Sequence, residues 1–362
     1  MAAGNPIKRL FDLYTSELSF DEIERMIKME SAAVYEFYKN EIPEPIAYQN
    51  KFNRSITFIK SLFNAFLMKL SPARRVFYIS ALIIFIVGIL GLNTPYLVFS
   101  FLILNVLLAF ELADKLIVKD DIVLAKKIQK RLMPEPPFYN EQFDISAFSE
   151  AAREVGGDYF DIVESDKDDK TYVIIGDISG KGIAAALYMV RVQTILQFLI
   201  ENNSDPKKII IELKKYFAKK LEREYFLTLS IASIDKNGKI KYSNAGHLPL
   251  IHYKQKENTF VEINPTGIGI GFNDKGLFEK TLAEEKVKTE TNDILCFCTD
   301  GVTEAMNQSK VQFGMERLKI IIKENHDKPI DDIKNIIIQT ITNFRGNAEV
   351  NDDISLVLMK AK

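Results

Sequence analysis

Aspartates carry the chemistry in this sequence. They fall in four short signatures: Gly156-Gly157-Asp158-Tyr159-Phe160-Asp161, Gly176-Asp177-Ile178-Ser179-Gly180-Lys181-Gly182, Thr299-Asp300-Gly301 and Asn351-Asp352-Asp353-Ile354-Ser355. Asp177 closely follows Val173-Ile174-Ile175, Asp300 follows Ile294-Leu295-Cys296-Phe297-Cys298, and Asp352 and Asp353 precede Ile354-Ser355-Leu356-Val357-Leu358. Apolar runs of that length and composition predict buried strands. If the strand ends converge, their acids line an oxygen-rich pocket. Carboxylates a few ångströms apart stay ionised together only when a hard cation neutralises them, so the pattern predicts Mg²⁺ or Mn²⁺. Taken singly, each residue has an ordinary explanation: a turn at Asp158, a helix cap at Asp177, an Asp-Gly turn at Asp300 and a strand-edge charge at Asp352. Four such coincidences in one chain are improbable.

Among the reactions that two hard cations assist is hydrolysis of a phosphate monoester, a dianion that repels hydroxide and that neutral water attacks poorly. Two divalent ions about 3.5 to 4 Å apart lower the pKa of a bridging water and neutralise the phosphoryl oxygens during in-line attack.

In order and wording the motifs resemble the metal-dependent protein phosphatases (the PPM family), specifically the bacterial SpoIIE/RsbU-type branch. The resemblance runs from about Leu124 to the C-terminus. It includes the lead-in helix Ala125-Lys126-Lys127-Ile128-Gln129-Lys130-Arg131-Leu132-Met133-Pro134 and the segment Ser243-Asn244-Ala245-Gly246-His247. It implies an α/β fold, an α-β-β-α sandwich of two central antiparallel sheets flanked by helices. It also implies two Mn²⁺ or Mg²⁺ ions, with Asp158 and Asp177 as ligands of the central pair together with the backbone carbonyl of Ile178. Asp300 and Asp352 complete the site from the other side; Asp353 is the secondary candidate of the final pair, since the family pattern places the metal-binding acid first. Asp158, Asp177, Asp300 and Asp352 are thus the expected catalytic residues, and the activity implied is that of a protein serine/threonine phosphatase. The implied substrate is a phosphorylated anti-anti-sigma (STAS-like) regulatory protein. One departure stands out: eukaryotic relatives carry a His two residues after the Asp matching Asp177, and here that place is Ser179. The proton for the leaving group must then come from water or another side chain. Lys181 is either a phosphate contact or a solvent-facing loop residue, His247 is expected to shape a turn, and His252 and His326 have no partner evident in the sequence.

The elements that must position these acids read as alternating strands and helices. Strands are predicted at Phe143–Phe148, Tyr172–Ile175, Leu227–Ile234, Lys239–Ser243, Leu250–Tyr253, Asp293–Cys298 and Ile354–Met359, with a hairpin turn at Lys236-Asn237-Gly238. Helices are predicted at Ile183–Ile200, Pro206–Leu221 and Pro329–Phe344.

Upstream, Val76–Leu92 and Tyr96–Phe110 are two uncharged apolar stretches separated by the turn Asn93-Thr94-Pro95. Both are apolar all round, which predicts a membrane hairpin over a pair of soluble core helices. Asn105 is the one strongly polar interruption, placed to hydrogen-bond across the helix pair. Arg74, Arg75 and Lys115 flank the hairpin, so the positive-inside rule puts both ends, and the N- and C-terminal regions, in the cytoplasm of a multi-pass inner-membrane protein. Before it, Phe20–Tyr38 has helical spacing, Pro43 and Pro45 break the chain, and Ile56–Leu67 reads as an amphipathic helix. After it, Leu112, Leu116, Val123, Ile128 and Leu132 suit a linker helix that pairs with a copy of itself, ended by Pro134, Pro136 and Pro137. The expected organisation is an N-terminal helical region of unknown role (1–72), the hairpin (73–112), the linker helix (113–136) and the phosphatase domain (137–362).

Composition bounds the alternatives. The 362 residues exceed one ordinary domain, and a net charge of -2 gives no reason to expect a nucleic-acid partner. The two cysteines, Cys296 and Cys298, alternate onto one face of a predicted strand and read as small buried hydrophobes. A nucleotide cyclase is suggested superficially by Gly156-Gly157-Asp158-Tyr159-Phe160, but Tyr159 stands where that chemistry needs an acid, and Asp300 and Asp352 are left without a role. A catalytically weak or inactive scaffold on the same fold is the other alternative.

Overall fold

The computed structural model describes residues 51–134, 138–165, 167–202, 205–217, 221–222, 224–272 and 276–362. The expected helix at Phe20–Tyr38, the break at Pro43 and Pro45, and Pro136 and Pro137 lie outside them. The chain divides into two units between Ile117 and Val118.

In the first unit, helix α1 (Lys51–Lys69) is followed by α2 (Pro72–Leu90) and by α3, which starts at Thr94 and runs to Leu132 without interruption. Pro72 opens α2, where its missing N–H and fixed φ fit the first turn. Arg75 donates to the carbonyls of Leu67, Met68 and Leu70, covering orphan acceptors at the end of α1. The turn between α2 and α3 closes through Gly91 N to Val87 O and Asn93 N to Gly88 O, both 2.9 Å. A Cβ on Gly88 would lie 2.9 Å from Leu97, so glycine allows the two helices to approach there. At the opposite end Arg74 pairs with Glu111 (3.1 Å) and Asp114 (2.7 Å). Both α2 and α3 are long and apolar enough to cross a membrane. Asn105 departs from expectation. Its amide donates to the Phe101 carbonyl of its own helix at 2.8 Å and the side chain is exposed, the i−4 carbonyl being the partner that a helix offers locally to a short polar side chain.

The second unit begins with the end of α3 and contains two antiparallel sheets. Sheet 1 has the order β1-β2-β11-β10-β7-β8, formed by β1 (Phe138–Tyr139), β2 (Phe143–Glu150), β7 (Leu250–Lys254), β8 (Thr259–Ile263), β10 (Ile294–Cys298) and β11 (Ile354–Ala361). Sheet 2 has the order β3-β4-β5-β6-β9, formed by β3 (Tyr159–Ser165), β4 (Lys170–Ile178), β5 (Leu227–Asp235), β6 (Ile240–Ala245) and β9 (Glu284–Val287).

Strand alternation places the three cores. In β4, Val173 and Ile175 join the core between the sheets, while Tyr172 and Ile174 face helices α4 (Ile183–Asn202) and α5 (Pro206–Phe217). In β11, Val357 and Met359 face the central core, while Leu356 and Leu358 pack under the helix layer that includes α8 (Met315–Glu324) and α9 (Ile330–Arg345). The result is the α-β-β-α sandwich. Cys296 and Cys298 are free, buried and on the same helix-facing side of β10. Two short helices, α6 (Phe278–Thr281) and α7 (Asp300–Glu304), complete the described elements. Although α4 is also apolar and long enough to cross a membrane, Ala185, Met189, Val192, Leu196 and Ile200 on it are buried in the core beside sheet 2.

All seven expected strands are present. β1, β3, β8, β9, α6, α7 and α8 were not expected: the apolar pattern of β3 is broken by a buried Asp161, and β8 and β9 are edge strands with mostly polar or exposed residues. Asp161 is held by the Tyr159 hydroxyl (2.8 Å), Gln197 (3.2 Å) and the backbone N–H of Ile162 (2.9 Å). The turn at Lys236-Asn237-Gly238 forms as expected, with Asp235 accepting from the N–H groups of Asn237 and Lys239, and Gly238 at φ 72°. Phe297 lies between the sheets, edge-on to Tyr242 at 6.1 Å. Replacing it with Ala is expected to cost about 3–5 kcal/mol in urea unfolding of this unit followed by near-UV circular dichroism. A change under about 1 kcal/mol would contradict its central position.

Candidate active site

The four acidic signatures meet at one end of both sheets. In sheet 2, Tyr159 pairs with Gly176, so Asp158 precedes β3 beside the end of β4, where Asp177 lies. In sheet 1, Cys298 pairs with Leu356, so Asp300 follows β10 beside the residues that lead into β11. Thr299 joins the two sheets: its N–H donates to Ser355 O (3.0 Å), its Oγ1 accepts from Ser355 N (3.0 Å), and its hydroxyl donates to Asp158 Oδ2 (2.8 Å).

Asp353 and Asp352 have different surroundings. Asp353 is buried, and its carboxylate accepts from the N–H groups of Ala152 (2.7 Å), Gly157 (2.7 Å) and, at longer range, Asp158 (3.5 Å). A Cβ on Gly156 would collide with that carboxylate, and one on Gly301 with the Asp353 backbone; both positions require glycine. Asp353 therefore shapes the Gly156-Gly157-Asp158 turn. Asp352 is more open and pairs with Lys181 at 2.9 Å, and the Lys181 ammonium also donates to the Asn351 carbonyl. Ile178 is buried, and its carbonyl oxygen would lie 2.6 Å from a Cβ on Gly157.

Crowding shows in the electrostatics. Burial, then Asp177 and Asp353, push the Asp158 carboxyl well above the usual range. Asp177 is raised to about 7 by burial and then by Asp300, Asp352 and Asp353, with Lys181 opposing. Asp300 is raised by burial and then by Asp352. Among the described residues no three acidic, imidazole or thiol groups already clasp a common point. The acids instead face one another closely enough to repel. An all-oxygen set of carboxylates with a backbone carbonyl nearby, short of positive charge, fits hard divalent cations. Softer ligands take no part: both cysteines are buried in another core. His247 is buried, with its pKa lowered by burial to about 4, and bonds Thr228 Oγ1 at 2.8 Å.

The remaining residues singled out in the sequence have structural partners. Ser179 Oγ accepts from Phe226 N at 2.8 Å. His247 closes the turn at Gly246, its N–H donating to Asn244 Oδ1 while Asn244 donates to its carbonyl. His252 pairs with Asp293 at 2.9 Å and His326 with the Lys323 carbonyl at 2.8 Å, partners that sequence order did not show. Sequence reasoning assigned no role to Thr299 or Gln129, although both stand inside quoted motifs. Gln129 is buried and grips Gly156 at both ends, donating to its carbonyl (2.7 Å) and accepting from its N–H (3.2 Å).

This architecture, with acids at one end of paired sheets, is that of a PP2C-type phosphatase domain. The SiaA-PP2C domain of Pseudomonas aeruginosa superposes with a TM-score of 0.59 at 17% identity, covering 68% of this chain and 98% of that one. The structure of the PP2C phosphatase domain and a regulatory-domain fragment of SpoIIE from Bacillus subtilis gives 0.51 at 18% identity, covering 62% and 64%. The profile of the family described as Stage II sporulation protein E (SpoIIE) matches residues 167–362, and the chain belongs to that family. The chain is 27% identical over 250 residues to phosphoserine phosphatase RsbU of Bacillus subtilis (strain 168), covering 68% of this chain and 71% of the relative. It is 28% identical over 254 residues to phosphoserine phosphatase RsbP of the same organism, covering 68% and 59%, so less than two thirds of RsbP is represented.

The two environments of the final acid pair give a direct test. Asp353→Asn exchanges one acceptor oxygen for a donor facing backbone N–H groups, and is expected to lower stability by about 1–3 kcal/mol in thermal unfolding without added metal. Asp352→Asn breaks only a partly exposed ion pair and is expected to change stability by less than about 1 kcal/mol. Equal losses in both variants would contradict the distinction.

Proposed function

We propose that this chain is a membrane-anchored, metal-dependent protein phosphatase that hydrolyses phosphoserine or phosphothreonine on a cytoplasmic regulatory protein. The substrate is of the anti-anti-sigma (STAS-like) type. The observation that carries this reading is the meeting of four separated acidic signatures through the Thr299 and Asp353 hydrogen bonds and the pairing of Tyr159 with Gly176. The names of RsbU and RsbP as phosphoserine phosphatases support the substrate chemistry.

In this reading Asp158, Asp177, the Ile178 carbonyl, Asp300 and Asp352 hold two Mn²⁺ or Mg²⁺ ions, and Asp353 fixes the turn that presents Asp158. When bound, such ions activate water and neutralise phosphoryl oxygens. The chain's own contribution is to hold acids rigidly against their mutual repulsion. Lys181, on the rim beside Asp352, is available to meet a phosphate oxygen. Ser179 already accepts from the Phe226 N–H, so it helps to fix the loop after Asp177.

Residues 73–112 are the membrane hairpin, 113–136 the linker segment, helical to Leu132, through which two copies pair, and 137–362 the phosphatase domain. The basic residues Arg74, Arg75 and Lys115 favour both ends on the cytoplasmic side of the inner membrane.

The full-length chain in detergent with Mn²⁺ is expected to release p-nitrophenol from p-nitrophenyl phosphate, and Asp177→Asn or Asp300→Asn to lower the rate at least about 100-fold without unfolding the protein. Near-wild-type rates in either variant at saturating Mn²⁺ would refute the assignment; a folded wild-type chain with no metal-dependent release would favour the scaffold. Anchoring has a separate check. Alkaline carbonate should leave the protein in the membrane pellet, and recovery in the supernatant would remove the hairpin from the proposal.

A further inference from the structure

A phosphoserine within a polypeptide brings its neighbours to the catalytic mouth. Consecutive Cα atoms are 3.80 Å apart, so residues flanking the phosphorylated one lie within about 10 Å of it. Whatever surface borders the acids is therefore covered by substrate. On one side of the Asp177 loop that surface is charged, with Lys181 paired to Asp352. The same loop also meets aromatic residues. Ser179 and Phe226 are tied in both directions, Ser179 N to Phe226 O at 2.9 Å and Phe226 N to Ser179 Oγ at 2.8 Å. The Phe226 ring stacks on Phe272 with centroids 4.6 Å apart and an interplanar angle of 28°, and Phe272 is 52% exposed. Leu227 and Ile270 exchange two backbone hydrogen bonds of 2.8 Å, which pins the Phe272 segment to the start of β5. A Cβ on Gly269 would lie 2.8 Å from the Phe272 ring, so the ring rests on bare backbone there. Tyr225 packs beside Gly180 of the same loop.

An exposed Phe272 ring seated in advance on a half-buried Phe226 is costly to leave in water and cheap to use for binding, since little side-chain freedom remains to be lost. We propose that Phe226 and Phe272 form a specificity surface that seats an apolar side chain next to the phosphoserine of the substrate protein. The inference rests on the phosphatase reading above. It assigns the aromatic rim a role in choosing the substrate and none in the hydrolytic step.

Three substrates test it on the full-length chain with Mn²⁺: p-nitrophenyl phosphate and two synthetic phosphoserine peptides, identical except that leucine or serine flanks the phosphoserine on both sides. The wild-type chain should favour the leucine peptide by about tenfold in kcat/KM, mostly through KM. Phe272→Ala should erase that preference while leaving p-nitrophenyl phosphate turnover within about twofold, and Phe272→Leu, which keeps an apolar contact, should retain most of it. A wild-type enzyme indifferent to the flanking residue, a preference undiminished in Phe272→Ala, or an equal loss on all three substrates in that variant would overturn the inference while the phosphatase assignment stands. A wild-type chain inert toward all three would sink that assignment, and the specificity surface with it.

Discussion

Like charge held at close quarters is the constraint on which the rest of this molecule depends. Asp158, Asp177, Asp300 and Asp352 come from four strand ends up to about two hundred residues apart in sequence, and Asp158, Asp177 and Asp300 are each destabilised by burial and by their neighbours. Unaided loops would splay to relieve that repulsion. What prevents it is the attachment of every loop to a strand whose two faces are both buried. β4 inserts alternate side chains into the central and the helix-facing core, and β11 does the same on the opposite sheet. Rigidity at the site is therefore a property of the sandwich.

Hydrogen bonds then set the fine geometry. Thr299 is fixed to Ser355 by two bonds within sheet 1 and reaches across to Asp158 beside sheet 2 with a third, and Asp353 uses its carboxylate as a template for the glycine turn. Gln129 grips the same turn from the end of α3. The Gly156-Gly157 pair is thus bonded or packed on several sides, which explains why side chains are excluded there.

Much of this was legible in the sequence because burial on two faces writes continuous apolar runs. Ile294-Leu295-Cys296-Phe297-Cys298 and Ile354–Leu358 read as strands and are strands, with acids at the ends that converge. What escaped has physical reasons. In β3 a buried Asp161 sits where an apolar residue is expected, and it is tolerated because Tyr159, Gln197 and a backbone N–H satisfy it. β8 and β9 lie at sheet edges, where one-sided packing leaves only a weak pattern. Asn105 bonds its own helix, a choice that depends on rotamer and not on composition. The His252–Asp293 pair spans adjacent strands and could not be seen without their register.

Sulfur is placed as deliberately out of reach as oxygen is placed within it. Cys296 is held as a thiol by its contact with Cys298 and by burial, and both side chains sit beneath the helix layer over sheet 1. These are the chain's two cysteines. A thiol so enclosed presents no thiolate to peroxide or to alkylating reagents. Oxidative stress, which silences phosphatases that attack through cysteine, therefore finds no corresponding nucleophile on the surface of this fold.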